Sequence, residues 1–293
     1  MVSMIPVMSE GNTADRGSTV GGDAEDARPG ALLLDLLGDL NRTGHREMRL
    51  KALVALGETI GASGPTVRVN LARLRERGWF LVRREGRESV YRLTTVAVSA
   101  LDEGGRRIFR DAPQPWARQW SMAIYTVPES DRQTRDELRK RLGWLGFGPL
   151  APATWICPYP RLEEIADAAA TLPAARLTLL TTCAPGLAAD RALAARCWDL
   201  DALGIEYHAF VTAVRARMPL YRQAAADGRA AALIERVRLV NEYRRLAGRD
   251  PQLPEELQPT GWPGEEARRV FGQAHSLLAA SSAAHYARLL DAI

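Results

Sequence analysis

Between Pro65 and Arg92 the sequence places eight arginines, at positions 68, 73, 75, 77, 83, 84, 87 and 92, against three acids, Glu76, Glu85 and Glu88. The whole 293-residue chain has a formal charge of only +4, so this stretch is more positive than the molecule as a whole. Guanidinium groups bind phosphate, and an arginine fork on guanine or an asparagine amide on adenine is a favoured major-groove pairing. Each such pair gives about 1–3 kcal/mol of discrimination. Val67, Leu71 and Leu74 share one helical face, which turns Thr66, Arg68, Asn70 and Arg73 toward other faces, including one that can meet a groove. Ser63 and Thr66 stand where a helix N-terminus can hold a phosphate. Arg75 and Arg77 suit backbone phosphate, while Arg83, Arg84 and Arg87 surround a glycine-containing turn. A single exposed arginine is ordinarily just solvated; their concentration on one helix and one hairpin is what points to nucleic acid.

Catalytic chemistry is less well supplied. His45, His208, His275 and His285 are scattered with no H-x-x-x-H pair. Cys157, Cys183 and Cys197 have no C-x-x-C spacing, which argues against a disulfide framework and a cysteine zinc site. The glycines between Gly143 and Gly148 lack a phosphate-loop lysine and read as a turn. We therefore expect no enzyme, no metal and no cofactor. At 46% hydrophobic and 25% charged residues the composition is that of a globular protein. Basic residues are almost all arginine, Lys51 and Lys140 being the two lysines, so the overall charge is a weaker pointer than its location. No apolar run is long enough to span a bilayer and no basic segment precedes an apolar core at the start, so a cytoplasmic protein is expected.

The elements that must position the arginines follow from periodicity. Residues 1–29 read as a disordered acidic arm. Leu32, Leu33, Leu36, Leu37 and Leu40 repeat at helical spacing up to a stop at 41–44, and Leu50–Gly57 reads as a second helix. A third begins at Ser63-Gly64-Pro65, with a capping hydroxyl followed by proline, runs over Thr66–Arg77 and stops at Gly78. The β-rich runs Trp79–Arg83 and Ser89–Leu93 form a hairpin around residues 84–87. Three helices and a hairpin predict a winged helix-turn-helix over 30–112, the last residues being a linker at 110–115. Strands at Trp120–Val127, Thr154–Ile156 and Leu177–Thr182, with helices at Asp131–Leu142 and Leu162–Thr171, predict a ferredoxin-like domain over 113–195. Residues 196–293 predict a mainly helical domain, with one helix carrying Leu233, Val237, Val240, Arg244 and Ala247 and a final long helix opening at Gly264. The fold class expected is thus α+β and multidomain.

The run TVRVNLARLRERGWFLVRREGRESVYRLT resembles the DNA-binding domain of the PaaX family, the phenylacetate-operon repressors. The likeness continues through RRIFRDAPQPWARQW, GFGPLAPATWICP, CWDLDALGIEYHAF and LVNEYRRLAGRDPQLPEELQPTGWPGEEARRVF, and covers nearly everything from about Ala31 onward. It implies a winged helix, a central domain like a small CRISPR-associated endoribonuclease, and a helical C-terminal domain. It also implies a homodimer that represses transcription at double-stranded operator DNA and is released by an acyl-CoA, phenylacetyl-CoA in the type member. An aryl-CoA needs an apolar slot and cations for its phosphates. Trp120, Trp155, Trp198, Tyr207 and Phe210 are candidates for the slot, and Arg118, Arg215, Arg217 and Arg244 for the phosphates; all are equally suited to core or interface packing. A metal-dependent nuclease is the weaker reading: Tyr125 is followed by Thr126-Val127-Pro128, without the carboxylate such enzymes usually carry there, and Glu129 and Asp131 look like helix-start acids. An activator of the same architecture, or a module whose basic hairpin binds an acidic protein, remain as alternatives.

Overall fold

The computed structural model describes residues 29–109, 115–228 and 230–291; the acidic arm expected at 1–28 and most of the linker at 110–115 lie outside the described residues. The protein is α+β, with two small sheets and a largely helical C-terminal region. It divides into two compact units. One combines 29–109, 208–245 and 265–291; the other combines 115–207 and 246–264.

In the first unit, α1 (Pro29–Arg42) is followed by a short strand β1 (Glu47–Arg49), α2 (Leu50–Thr59) and α3 (Gly64–Glu76). The hairpin β2 (Phe80–Glu85) and β3 (Glu88–Leu93) comes next, then α4 (Thr95–Ile108). The sheet is antiparallel in the order β1-β3-β2, which leaves β2 as an edge. The leucines of α1 (Leu33, Leu36, Leu37 and Leu40) are fully buried with Leu53, Leu56, Val67 and Leu71. Gly57 lets α2 approach α3, because a Cβ there would overlap the Val67 side chain. Ser63 caps α3 by accepting from the Thr66 amide at 3.3 Å, and Gly78 follows it with φ +75°, a conformation glycine adopts without strain.

The second unit opens with β4 (Trp120–Thr126) and α5 (Arg132–Trp144), then β5 (Gly148–Ala151), β6 (Thr154–Cys157), α6 (Leu162–Ala170) and β7 (Arg176–Thr182). The sheet is antiparallel in the order β5-β6-β4-β7. The segment read as a glycine turn contains one at Gly146, φ +82°, but its end is the strand β5, which sequence periodicity did not reveal. Asp131 caps α5 by accepting from the Thr134 amide at 3.0 Å, and that bond holds its carboxyl below the usual range. Leu138, Leu142, Phe147, Cys157 and Ile165 form the core under α5 and α6. On the other side Trp120, Ile156, Ala194, Cys197, Leu253 and Leu257 pack with α7 (Leu187–Cys197) and the 3-10 turn Glu255–Leu257.

The remaining helices are α8 (Leu200–Asp227), α9 (Ala230–Ala247), α10 (Gly264–Leu277) and α11 (Ala279–Asp291). The single long helix expected from Gly264 is therefore two. Leu278, fully buried, lies at the break, and the polar groups of α10 and α11 turn inward to a shared carboxylate, as described below.

Candidate nucleic-acid interface

Helix α3 buries Gly64, Val67, Leu71 and Leu74 and leaves Arg68, Val69, Arg73, Arg75, Glu76 and Arg77 exposed. On a helical wheel the row Pro65, Val69 and Arg73 lies roughly opposite the buried residues. Thr66 sits at the edge of this face, its hydroxyl 2.8 Å from the Ser63 hydroxyl. Both therefore mark the N-terminal end of α3, where its first amides are presented.

Asn70 lies elsewhere. It is half-buried, its Nδ2 donates to the Thr66 carbonyl at 2.9 Å, and its Oδ1 is 3.0 Å from where a Cβ on Gly30 would stand. The asparagine expected to face a base edge faces the start of α1 instead, a placement that depends on Gly30 having no side chain. Arg83 is also engaged: it is ion-paired to Glu47 at 2.5 Å and to Glu85. It braces β2 against β1 across the sheet rather than reaching outward. By contrast Arg68, Arg73, Arg75, Arg77, Arg84 and Arg87 have no carboxylate partner among the described residues, and all are exposed. Arg84 and Arg87 flank the hairpin turn, where Gly86 has φ +61° and Glu85 pairs with Glu88. Six unneutralised guanidinium groups thus lie on α3 and the hairpin tip.

Behind this face, α1 joins α9, α10 and α11 through a buried polar seam. Asp39 accepts two hydrogen bonds from Arg236, both at 2.9 Å, one from Arg42 at 2.8 Å and one from the Tyr286 hydroxyl at 2.7 Å. Burial works to raise the Asp39 carboxyl, but the hydrogen bonds and charge of Arg236 prevail and hold it at about 2. One turn earlier Asp35 accepts from Asn241 and Arg244, both at 2.7 Å, and burial pushes its carboxyl up despite Arg244. Arg236 also donates to the His275 carbonyl at 2.6 Å. Burial, then the charges of Arg236 and Arg42, depress the His275 imidazole to about 3, so it is neutral. Phe109 packs beside it, 4.9 Å between ring centres, with Arg42 over the Phe109 ring. Sequence reasoning missed this seam, because each carboxylate and its arginine are about two hundred residues apart.

Three family models match the chain: "PaaX-like protein" over residues 28–97, "PaaX protein central Cas2-like domain" over 113–194 and "PaaX-like protein C-terminal domain" over 198–288. The chain is 32% identical over 248 residues to the transcriptional repressor PaaX of Escherichia coli, covering 82% of this chain and 77% of that protein. The chain belongs to the PaaX family. An uncharacterized protein from Mycobacterium tuberculosis has a similar solved fold, with a TM-score of 0.56 at 24% identity, covering 85% of this chain and 96% of the other. The family's central Cas2-like domain corresponds here to the sheet β5-β6-β4-β7 with α5 and α6.

The effector candidates of this PaaX-family chain are divided between the two units. In one, Trp120 is fully buried and donates to Asp190 at 2.9 Å, and Arg118 reaches the same buried carboxylate at 3.1 Å. Trp198 packs on Gly148, where a Cβ would collide with its ring, and Trp155 lies against the α5–α6 core. Tyr207 is buried, donates to Asp250 at 2.7 Å and meets Trp262 edge-on. In the other unit, Phe210 packs on Tyr243. Arg215 pairs with Glu266, Arg217 with Glu242 at 2.5 Å, and Arg244 with Asp35 at 2.7 Å. Within its own unit each of these aromatics packs against core neighbours, and each of the four arginines has a carboxylate partner. In the central sheet, Tyr125 ends in a hydroxyl that accepts from Arg139 at 3.2 Å, and Thr126 closes β4. Among the described residues no group of three or more His, Cys, Asp or Glu is arranged to hold a metal ion.

Proposed function

We propose that this chain is a transcriptional repressor that binds double-stranded operator DNA through a winged helix-turn-helix formed by α1–α3 and the β2–β3 wing. The observation that carries the reading is the set of six exposed arginines without carboxylate partners on α3 and the hairpin tip. A protein face built for solvent alone commonly alternates charge; this one leaves its cations unneutralised, as a polyanion requires. In this reading α3 lies in the major groove with Arg73 toward base edges, while Arg84 and Arg87 reach phosphate or minor groove beside it. The order β5-β6-β4-β7 with its two helices suits a ferredoxin-like central domain. The curated relative being a repressor favours regulation over catalysis.

The family resemblance extends the proposal to a homodimer on paired half-sites, a cytoplasmic location and release by an acyl-CoA or related aromatic metabolite. A two-fold dimer doubles the contact set on a palindromic operator. Binding of a fluorescent duplex, selected from a random library by the full-length protein, tests the core of this reading. Arg73, Arg84 and Arg87 replaced together by Ala should reduce affinity at least a hundredfold and flatten its salt dependence. Unchanged binding by this variant would refute the assignment. Phenylacetyl-CoA and other acyl-CoAs added to the bound duplex should release it, whereas the free acids should not.

A further inference from the structure

We propose that Val69 reads the C5-methyl group of a thymine in the major groove. This rests on the assignment of α3 as the DNA-reading helix. Val69 is 51% exposed on the outward face of α3, opposite Val67, Leu71 and Leu74, with Arg73 one turn further along the same row. A β-branched residue is among the poorer helix formers, so helix propensity does not account for Val69, and with 51% of it exposed packing accounts for only about half of its surface. Its neighbours on that face are Pro65, Thr66 and Arg73, with the exposed acid Glu76 two turns along, and half of its apolar surface is open to solvent.

The chemistry it fits is narrow. A thymine presents a methyl group and one acceptor in the major groove, whereas the matching adenine is read by an amide. The amide of α3, Asn70, is committed to the Thr66 carbonyl and packed against Gly30. An A·T pair facing α3 is therefore recognised from its thymine edge, by apolar contact with Val69. Arg73 lies about 6 Å farther along the helix, and base pairs are spaced about 3.4 Å apart, so the thymine and an Arg73-bound guanine fall within two base pairs of each other.

The test uses the full-length protein and the library-selected duplex, with each thymine of a half-site replaced in turn by deoxyuridine, which removes only the methyl group. One position should lose about threefold to tenfold in affinity, as expected for a methyl group withdrawn from an apolar contact. Val69→Ala should bind the unmodified duplex more weakly by a similar factor and become indifferent to deoxyuridine at that position. Val69→Thr, which keeps one methyl, should retain the sensitivity. A flat deoxyuridine scan, or a Val69→Ala protein that still senses the substitution, overturns the proposal. If the scan is flat while Arg73→Ala still weakens binding, only the thymine contact fails. If no duplex is selected at all, the DNA-reading assignment fails with it.

Discussion

Two sets of arginines within one unit of this protein have opposite fates. Those behind α1, Arg236 and Arg244, are paired with Asp39 and Asp35, and Arg236 is almost completely enclosed. Those on α3 and the hairpin tip have no carboxylate within ion-pair distance among the described residues. Residue type does not separate the two sets; surroundings do. A guanidinium withdrawn from water must find an anion within the fold, whereas one left in water can keep its charge for a partner outside.

The largest test of this contrast removes the buried anion. Asp39→Ala leaves Arg236 enclosed without its carboxylate and should cost about 3–5 kcal/mol of stability, read as a lowered midpoint in urea unfolding. A loss under 1 kcal/mol would mean the seam does not depend on the charge pair. Next in size is the acid response. His275 sits at about 3 in the folded protein against an ordinary 6.5, so the unfolded chain takes up its proton first. Stability should therefore fall as pH drops from 6.5 toward 3, by about 2 kcal/mol at pH 5. Asp39, held at about 2 against an ordinary 3.8, adds a further loss only below pH 4. In His275→Gln the decline between pH 6.5 and pH 4 should be shallower; an unchanged slope would assign it to other groups.

On the exposed side the signs reverse, because stability should hardly move and DNA binding should. Arg73→Ala should cost about 1–3 kcal/mol of preference between duplex sequences, with unfolding shifted by no more than about 0.5 kcal/mol. Smallest is the effect of Arg84→Ala or Arg87→Ala alone. Each should weaken all sequences alike and reduce the slope of log affinity against log salt by about one. A change in sequence preference from either would move the hairpin from phosphate contact to base reading.

Much of α3 was legible in the sequence, because its signals are local. Ser63-Gly64-Pro65 starts it, Gly78 stops it, and three apolar residues set its face. β1 was not legible: Glu47–Arg49 is a strand only because β3 lies alongside to pair with it. α4 was missed because Val96, Val98 and the pair Gly104-Gly105 are weak helix formers, and the helix is held by Ala97 and Ile108 packing inward. The turning of Asn70 toward Gly30 also needed the three-dimensional approach of α1. The effector residues are a different case, since tryptophan and arginine serve a ligand slot and a packed core equally well, and their sequence positions do not distinguish the two.

The bond between Asp39 and Arg236 also bears on how the protein is made. Ribosomes add roughly 5–20 residues per second, so α1 emerges on the order of ten to forty seconds before Arg236 does. During that interval Asp35 and Asp39 have none of their partners from α9, α10 and α11, and the unit that contains α1 cannot complete its packing. A nascent chain therefore lacks the buried pairing that ties α1 to α9, α10 and α11 until those helices have been synthesised.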